Sequence, residues 1–410
     1  MDAPYDVIVV GARCAGASTA MLLARRGYSV LLVDRATFPS DVPRGHFIHR
    51  GGPARLHRWG LLDRILATGC PAIDTFVLDL AGFPLVGRNL VVDGVAFGCG
   101  PRRMALDKTL VDAAIEAGVE FHDRLSVDDF LTEDGRIVGI SGSEAGSGAR
   151  VVARARLTIG ADGRNSRLAR TVVADTYDAV PPLTCWYFSY WSGSFEKALA
   201  IHERNRRVIF SFPTSHNLQA LFIGWPAEEF HGVRRDIDGN FLQALRGVPE
   251  LAERVESGRR EERFYGTADV PNFYRKPFGD GWALVGDAGR LKDPIGAHGI
   301  ADALRDAELL SDAAHEGLSG RRPIEEALAM YEAQRDAASK ADYQENIRAA
   351  RQTPLPEATR GLLAALRGRD EDTREFFLAR QGLIPAERFF DPANIRRIVA
   401  GSAVAVNAGR

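Results

Sequence analysis

The chain has 410 residues, 45% of them hydrophobic, with 52 basic and 54 acidic side chains and a formal charge of −2. That is enough apolar material for two domains, or for one large α/β unit with a second lobe, and the near-neutral balance argues against a general nucleic-acid binder. Cys14, Cys70, Cys99 and Cys185 are widely spaced and form no CxxC pair, so neither a disulfide framework nor a metal site is expected, and a reducing cytoplasm is the expected compartment.

The opening MDAPYDVIVVG lacks a basic stretch ahead of its apolar run, and that run is too short to cross a membrane. It reads as a first strand over 5–10, followed by a glycine turn, a helix over 15–26 and a second strand over 29–33. Helices are expected over 52–66 and 107–117, the latter leading into a short strand over 119–122. Strands over 137–140 and 151–159, separated by SGSEAGSGAR, read as a hairpin attached to the same body. From residue 181 the texture changes to aromatic and β-branched runs. Strands over 184–191, 207–212 and 218–225 are expected to form an antiparallel sheet, with Trp186, Phe188 and Tyr190 on one face. A core strand over 282–285 and helices over 300–314, 323–338 and 356–365 follow.

Three segments carry chemistry. Gly11-Ala12-Arg13-Cys14-Ala15-Gly16 joins strand to helix, where glycines permit a tight turn and the helix start offers amide hydrogens to a pyrophosphate. Asp34, 23 residues after Gly11 and followed by Arg35, sits where a carboxylate can accept hydrogen bonds from an adenosine ribose. Arg13 stands where glycine normally lets the backbone approach phosphate, and its side chain either contacts phosphate or points away. The second segment is Gly160-Ala161-Asp162-Gly163-Arg164-Asn165-Ser166. The third is Gly286-Asp287-Ala288-Gly289 running into Pro294-Ile295-Gly296-Ala297-His298-Gly299-Ile300 and a helix. Asp287 leaves a core strand where it can bind a polyhydroxyl chain.

Together these motifs, in this order over about 5–345, resemble the flavoprotein monooxygenases of the para-hydroxybenzoate hydroxylase fold, a superfamily that includes halogenases and geranylgeranyl-reductase-like enzymes. The resemblance implies an α/β fold with a Rossmann-like FAD-binding domain (1–70, 100–180, 276–345). It also implies an inserted antiparallel-sheet substrate domain (71–99, 181–275) and a C-terminal helical segment, 346–410, packed on the body. It implies FAD bound by Gly11, Arg13, Cys14, Ala15, Gly16, Asp34, Arg35, Asp162, Gly163, Gly286 and Asp287. Pro294, Gly296, Ala297, Gly299 and Ile300 would lie beside the isoalloxazine, with Arg44 in a segment that covers it. Arg102 or the adjacent Arg103 would be the arginine that reaches the FAD region. The family histidine after GDA is replaced by Gly289-Arg290, and Lys292 and Asp293 give the next turn an unusual charge.

The reaction expected from the resemblance is hydroxylation of a small aromatic or electron-rich compound with molecular oxygen, through a flavin C4a-hydroperoxide. Electrons would come from NADPH or NADH bound transiently, or from a separate flavin reductase. His298 and His46 are the first candidates for a catalytic base, with His49 and His216 behind them. A substrate cavity at the domain junction would be walled by Tyr187, Tyr190, Phe210, Phe212 and Trp225. Alternatives are alkene reduction of the geranylgeranyl-reductase kind, halogenation, which would need a lysine beyond the flavin, and FAD binding without catalysis. Oligomeric state is left open.

Overall fold

Tyr5–Val10 (β1) lies at the centre of a parallel sheet, and its Val7, Ile8 and Val9 are fully buried, as expected of a strand covered on both faces. The computed structural model describes residues 4–80, 82–88, 90–380 and 384–408, with side chains to residue 400. The remaining positions, which fall within the expected segments 1–70, 71–99 and 346–410, lie outside the described residues.

The chain divides into two units: 1–68, 101–183 and 269–348 form the first, and 69–100, 184–268 and 349–410 the second. In the first, β1 leads into α1 (Cys14–Ala24) and β2 (Val30–Val33); α2 (Arg103–Glu116) precedes β3 (Glu120–His122), and β4 (Arg150–Gly160) and β5 (Trp282–Leu284) follow, with α3 (Gly299–Leu318) and α4 (Ile324–Ala350) after them. The strand order is β5-β4-β1-β2-β3, all parallel. In register, Val10 pairs with Val33 and Gly160, and Gly160 with Leu284, so four strands end on one line. The loops leaving them carry Gly11, Asp34, Asp162 and Asp287. All three sequence motifs therefore open at the carboxyl edge of the sheet, where open α/β sheets bind ligands. The first half of β4 pairs instead with Arg136–Glu144, which pairs with Leu125–Glu133, giving the expected hairpin attached to this body.

The second unit is built on a sheet ordered Arg259–Arg260, Thr184–Ser192, Leu218–Pro226, Arg207–Thr214, Ala198–Arg204, Thr75–Asp79, Leu85–Gly87. The architecture is thus a mixed α/β Rossmann-like fold with an inserted, mainly antiparallel sheet. Two details depart from the sequence reading. Residues 198–204, which carry a mixed polar pattern, form a full strand, and it pairs in parallel with Thr75–Asp79. The helix expected over 52–66 is two helices, Gly51–Arg58 and Leu62–Leu66, because Gly60 takes a φ of +75° between them. In the C-terminal segment, Phe377 packs edge-on against Phe76 with ring centroids 5.1 Å apart.

Candidate active site

Gly11 has a φ of +104°, and a Cβ on it would lie 2.5 Å from the Ala161 carbonyl oxygen. A Cβ on Gly16 would sit 1.7 Å from the carbonyl oxygen of Gly11, so only glycine lets α1 begin this close to the strand exit. The third motif closes on the same point, since a Cβ on Gly286 (φ +62°) would come 2.7 Å from Ala15 Cβ. Arg13, at the N-cap of α1, offers no capping bond. The helix start therefore keeps amide hydrogens and the positive end of its dipole for an anion. Asp34 accepts from Ala12 N and Ala36 N, each at 2.8 Å, which fixes its carboxylate at the strand end while leaving lone pairs for hydroxyl donors. These features fit the diphosphate and ribose of a dinucleotide.

The two readings of Arg13 are separated by its contacts. Its guanidinium binds Asp107 at 2.7 Å, bonds the Ser40 hydroxyl and carbonyl oxygens, and lies 4.6 Å over the Phe38 ring. It is thus a brace between the glycine turn, α2 and the 38–40 loop. Asp107, 1% exposed, also receives Arg103 at 3.1 Å and the Cys14 thiol at 3.4 Å. Burial, with the Asp107 carboxylate beside it, pushes the Cys14 thiol up to about 12, despite its place at a helix start. Of the adjacent arginines, Arg103 is turned inward to Asp107, whereas Arg102 lies 3.7 Å from Asp41, in the segment that leads to Arg44.

At the second motif, Gly163 has a φ of +78°, and Asp162 Oδ2 accepts from Arg167 N at 2.6 Å. Arg35 takes its place just beyond Asp34 on the same edge. Asp287 lies 3.9 Å from Arg44; enclosure raises its carboxyl above the ordinary value, against the pull of Arg44, Arg103 and Arg290. Pro294–Gly296 is a single 3-10 turn capped by Asp293 Oδ1, which accepts from Ile295 N at 3.0 Å. Ala297 then takes a left-handed φ of 54°, ahead of Gly299 and Ile300 at the start of α3.

The charged residues around this turn are buried. Arg290 reaches Asp302 at 3.2 Å and Asp306 at 3.3 Å; Lys292 reaches Asp302 at 3.0 Å and also pairs with Asp342. His298 Nδ1 lies 3.0 Å from the other oxygen of Asp342. Burial opposes the charge on Asp342, but His298 and Lys292 outweigh it and hold its carboxyl well below the usual carboxylate range. His49 joins the group, its Nε2 3.1 Å from Gly296 O and its ring centroid 4.5 Å from that of His298. His46 is buried. His216 lies in the second unit, in left-handed backbone.

The five expected wall residues do not share a surface. Strand alternation places Tyr187 and Trp225 on the face packed against Val233, Phe241 and Leu245, inside a hydrophobic core. Tyr190, Phe210 and Phe212 occupy the opposite face, as register with Phe222 and Ala220 requires. The face-sharing residues that the sequence reading left out of its wall are Phe188 and Phe222, stacked with centroids 4.3 Å apart, and Trp186. The alternation signal for Trp186 and Phe188 was already in the run TCWYFSYW, and Phe222 stands in the run LQALFIGW. Asn346 is the other omission; it grips the 293–296 turn from a helix with no motif around it.

The FAD binding domain family matches residues 4–345. Among curated proteins, a 1H-pyrrole-2-carbonyl-[peptidyl-carrier protein] brominase from Pseudoalteromonas luteoviolacea is 25% identical over 336 residues, covering 77% of this chain and 78% of the relative. A 6-methylpretetramide 4-monooxygenase from Streptomyces rimosus is 26% identical, covering 77% and 76%. A digeranylgeranylglycerophospholipid reductase from Methanocella arvoryzae is 25% identical, covering 83% and 85%. Among solved structures, the myxobacterial chondrochloren halogenase CndH superposes with a TM-score of 0.77 at 19% identity, over 97% of this chain and 96% of that one. Pseudomonas aeruginosa PqsL, with 2-aminobenzoylacetate, gives 0.74 at 21%, over 85% and 96%. At these identities the superpositions speak for the fold. The chain belongs to the FAD binding domain family, within the para-hydroxybenzoate hydroxylase-like flavoproteins that include monooxygenases, halogenases and related reductases.

Proposed function

We propose that the protein uses FAD to modify an aromatic or other electron-rich small molecule, with halogenation ahead of simple hydroxylation. The observation that carries this order is the alignment with a brominase through most of both chains. The aromatic face of the second unit, with Phe188, Phe222 and Phe212 stacked nearly parallel, supports a flat substrate. FAD, when bound, takes up electrons from a reductant and delivers them to oxygen. Gly11, Gly16 and the start of α1 would hold its diphosphate, Asp34 its adenosine ribose and Asp287 its ribityl chain. The Pro294–His298 turn would abut the ring and help exclude water from it. NADPH, NADH or a separate flavin reductase would supply the electrons.

Lys292 is held by Asp302 and Asp342, so its amine is not free to carry halogen. Halogenation is therefore tested on the product. A second reading, alkene reduction, is supported by digeranylgeranylglycerophospholipid reductases that align at 24–27% identity.

The test is anaerobic reduction of the FAD-loaded protein by NADH, NADPH or a flavin reductase. Oxygen, bromide or chloride, and a panel of small aromatic acids and their thioesters are then added. Bromine or chlorine in the product supports the proposal. A gain of one oxygen in the presence of halide returns the reading to hydroxylation, and a gain of two hydrogens on an isoprenoid probe favours reduction. Asp287→Ala should weaken FAD retention, and unchanged retention would remove Asp287 from the site.

A further inference from the structure

His298 is the only titratable side chain in the turn Pro294-Ile295-Gly296-Ala297-His298, and its ring is fixed at one end alone. Nδ1 lies 3.0 Å from Asp342 Oδ1, reached from α4, while Lys292 pairs with the other oxygen of the same carboxylate. Burial opposes the charge on Asp342, but His298 and Lys292 keep the group ionised, and an ionised carboxylate can only accept. The hydrogen shared between the two therefore sits on Nδ1, and the lone pair of the neutral ring lies on Nε2. Nε2 has no hydrogen-bond partner among the described residues, and it is not enclosed, since the side chain is 27% exposed. Gly296 leaves room for the ring, because a Cβ on it would come within 3.3 Å of His298 Nδ1.

The other charged and titratable groups around the ring leave Nε2 unclaimed. Asp302, on α3, is engaged by Arg290 and Lys292, and Lys292 by Asp302 and Asp342. Because Lys292 already balances the Asp342 carboxylate, the pair with His298 holds with the imidazole uncharged. His49 packs edge-on against His298 with ring centroids 4.5 Å apart, and enclosure first, then His298 and Arg50, keep it neutral. An ionised carboxylate on one ring nitrogen fixes the tautomer and stabilises the imidazolium that forms when the other nitrogen takes a proton. A half-open imidazole so oriented is equipped to receive one.

We propose that His298 Nε2 takes up a proton from solvent when the flavin ring beside this turn is reduced, and that Asp342 is the positioning residue that orients it. A hydride brings two electrons and one proton to the ring and leaves it negatively charged. The second proton goes to Nε2, where the imidazolium offsets that charge, and it passes to the reduced oxygen when oxygen removes the electrons. This rests on the flavin reading of the 294–298 turn and adds the group that balances the ring's charge there.

Two measurements test it. In the apoprotein, hydrogen-to-nitrogen correlation NMR of isotope-labelled histidine reads the tautomer, with His298→Gln identifying the resonance. The hydrogen is expected on Nδ1; in Asp342→Asn, which keeps the shape but offers a donor as well, that preference should be lost. A hydrogen on Nε2 in the unaltered apoprotein overturns the proposal whatever FAD does. In the FAD-loaded protein, the midpoint potential is followed against pH, and its slope counts the protons taken up per two electrons. Between about pH 7 and pH 8, above the ordinary histidine value, the unaltered protein should take up two protons and His298→Gln one. In Asp342→Asn the pH at which the count falls from two to one should drop by about one unit, a tenfold loss of proton affinity. A merely structural pair predicts variants of lower thermal stability with the proton count unchanged, and that outcome overturns the proposal. So does a count of one in the unaltered protein. If the unaltered chain takes up no FAD, the flavin reading itself fails and the proposal falls with it; with FAD bound, a failure belongs to the proposal alone.

Discussion

Asp107 anchors Arg13 and the Cys14 thiol of the glycine turn and Arg103 of its own helix, and it does so fully buried. Removing one partner of a buried ion pair leaves the other charge without compensation. Asp107→Ala should therefore cost about 3–5 kcal/mol, seen as a lower urea midpoint with an unchanged m-value. Ala297 poses the opposite case. Its left-handed backbone is strained for a residue with a Cβ, and glycine relieves that strain at some cost in chain entropy. Ala297→Gly should stabilise the apoprotein by up to about 1 kcal/mol in thermal unfolding. A clear loss of stability would mean that the Ala297 methyl group contributes packing that outweighs the strain.

Pairing between elements accounts for what the sequence did and did not reveal. The strand Thr75–Asp79 runs parallel to Ala198–Arg204, and its last residue clasps the pair: Asp79 binds His202 at 3.4 Å, pairs with Arg204 and accepts from Gly82 N. Burial opposes ionisation of Asp79, but His202 and Arg204 outweigh it and bring the carboxyl from 3.8 to about 2. The folded state thus ionises this group more readily than the unfolded state does. Its contribution of about 2 kcal/mol is present above about pH 4 and is lost as the pH falls through about 2. Asp79→Asn should flatten that acid limb in stability measured from pH 5 to pH 2. No local pattern announces a parallel pairing across more than a hundred residues, and ALAIHER alternates too poorly to read as a strand. The strand–turn–helix–strand opening was legible because each of its signals is local: apolar runs, Gly11, Gly16 and Asp34. Tyr187 and Trp225 were misplaced for a different reason. The period-2 rule gave their faces, but only the helices after residue 230 decide which face is core. The unusual charge at Arg290 and Lys292 likewise had no partner legible in the sequence, because Asp302, Asp306 and Asp342 reach them only in the fold.

At the scale of the molecule, the FAD-binding unit is assembled from three stretches of chain, with the second unit drawn from the intervening stretches and the C-terminal residues. Ligand binding to such a unit should register as stability. At a free FAD concentration about a hundredfold above the dissociation constant, the gain is about 2.7 kcal/mol, read as a rise in the midpoint of the first unit's unfolding. A midpoint that does not move with FAD would contradict a native-state flavin site. Among the described residues no helix is long and apolar enough to cross a membrane.

The contact between Gly286 and Ala15 carries a further consequence, for biosynthesis. The glycine turn leaves the ribosome well ahead of the strand that completes its sheet and the glycine that closes on it, which are made some 270 residues later. Until then β4 has an open edge and the turn lacks its third wall, so a nascent chain has no finished nucleotide site to be stabilised by its ligand. The cofactor can act as a lock only once Gly286 has been added, and the unfinished edge is what a chaperone would have to shield until it does.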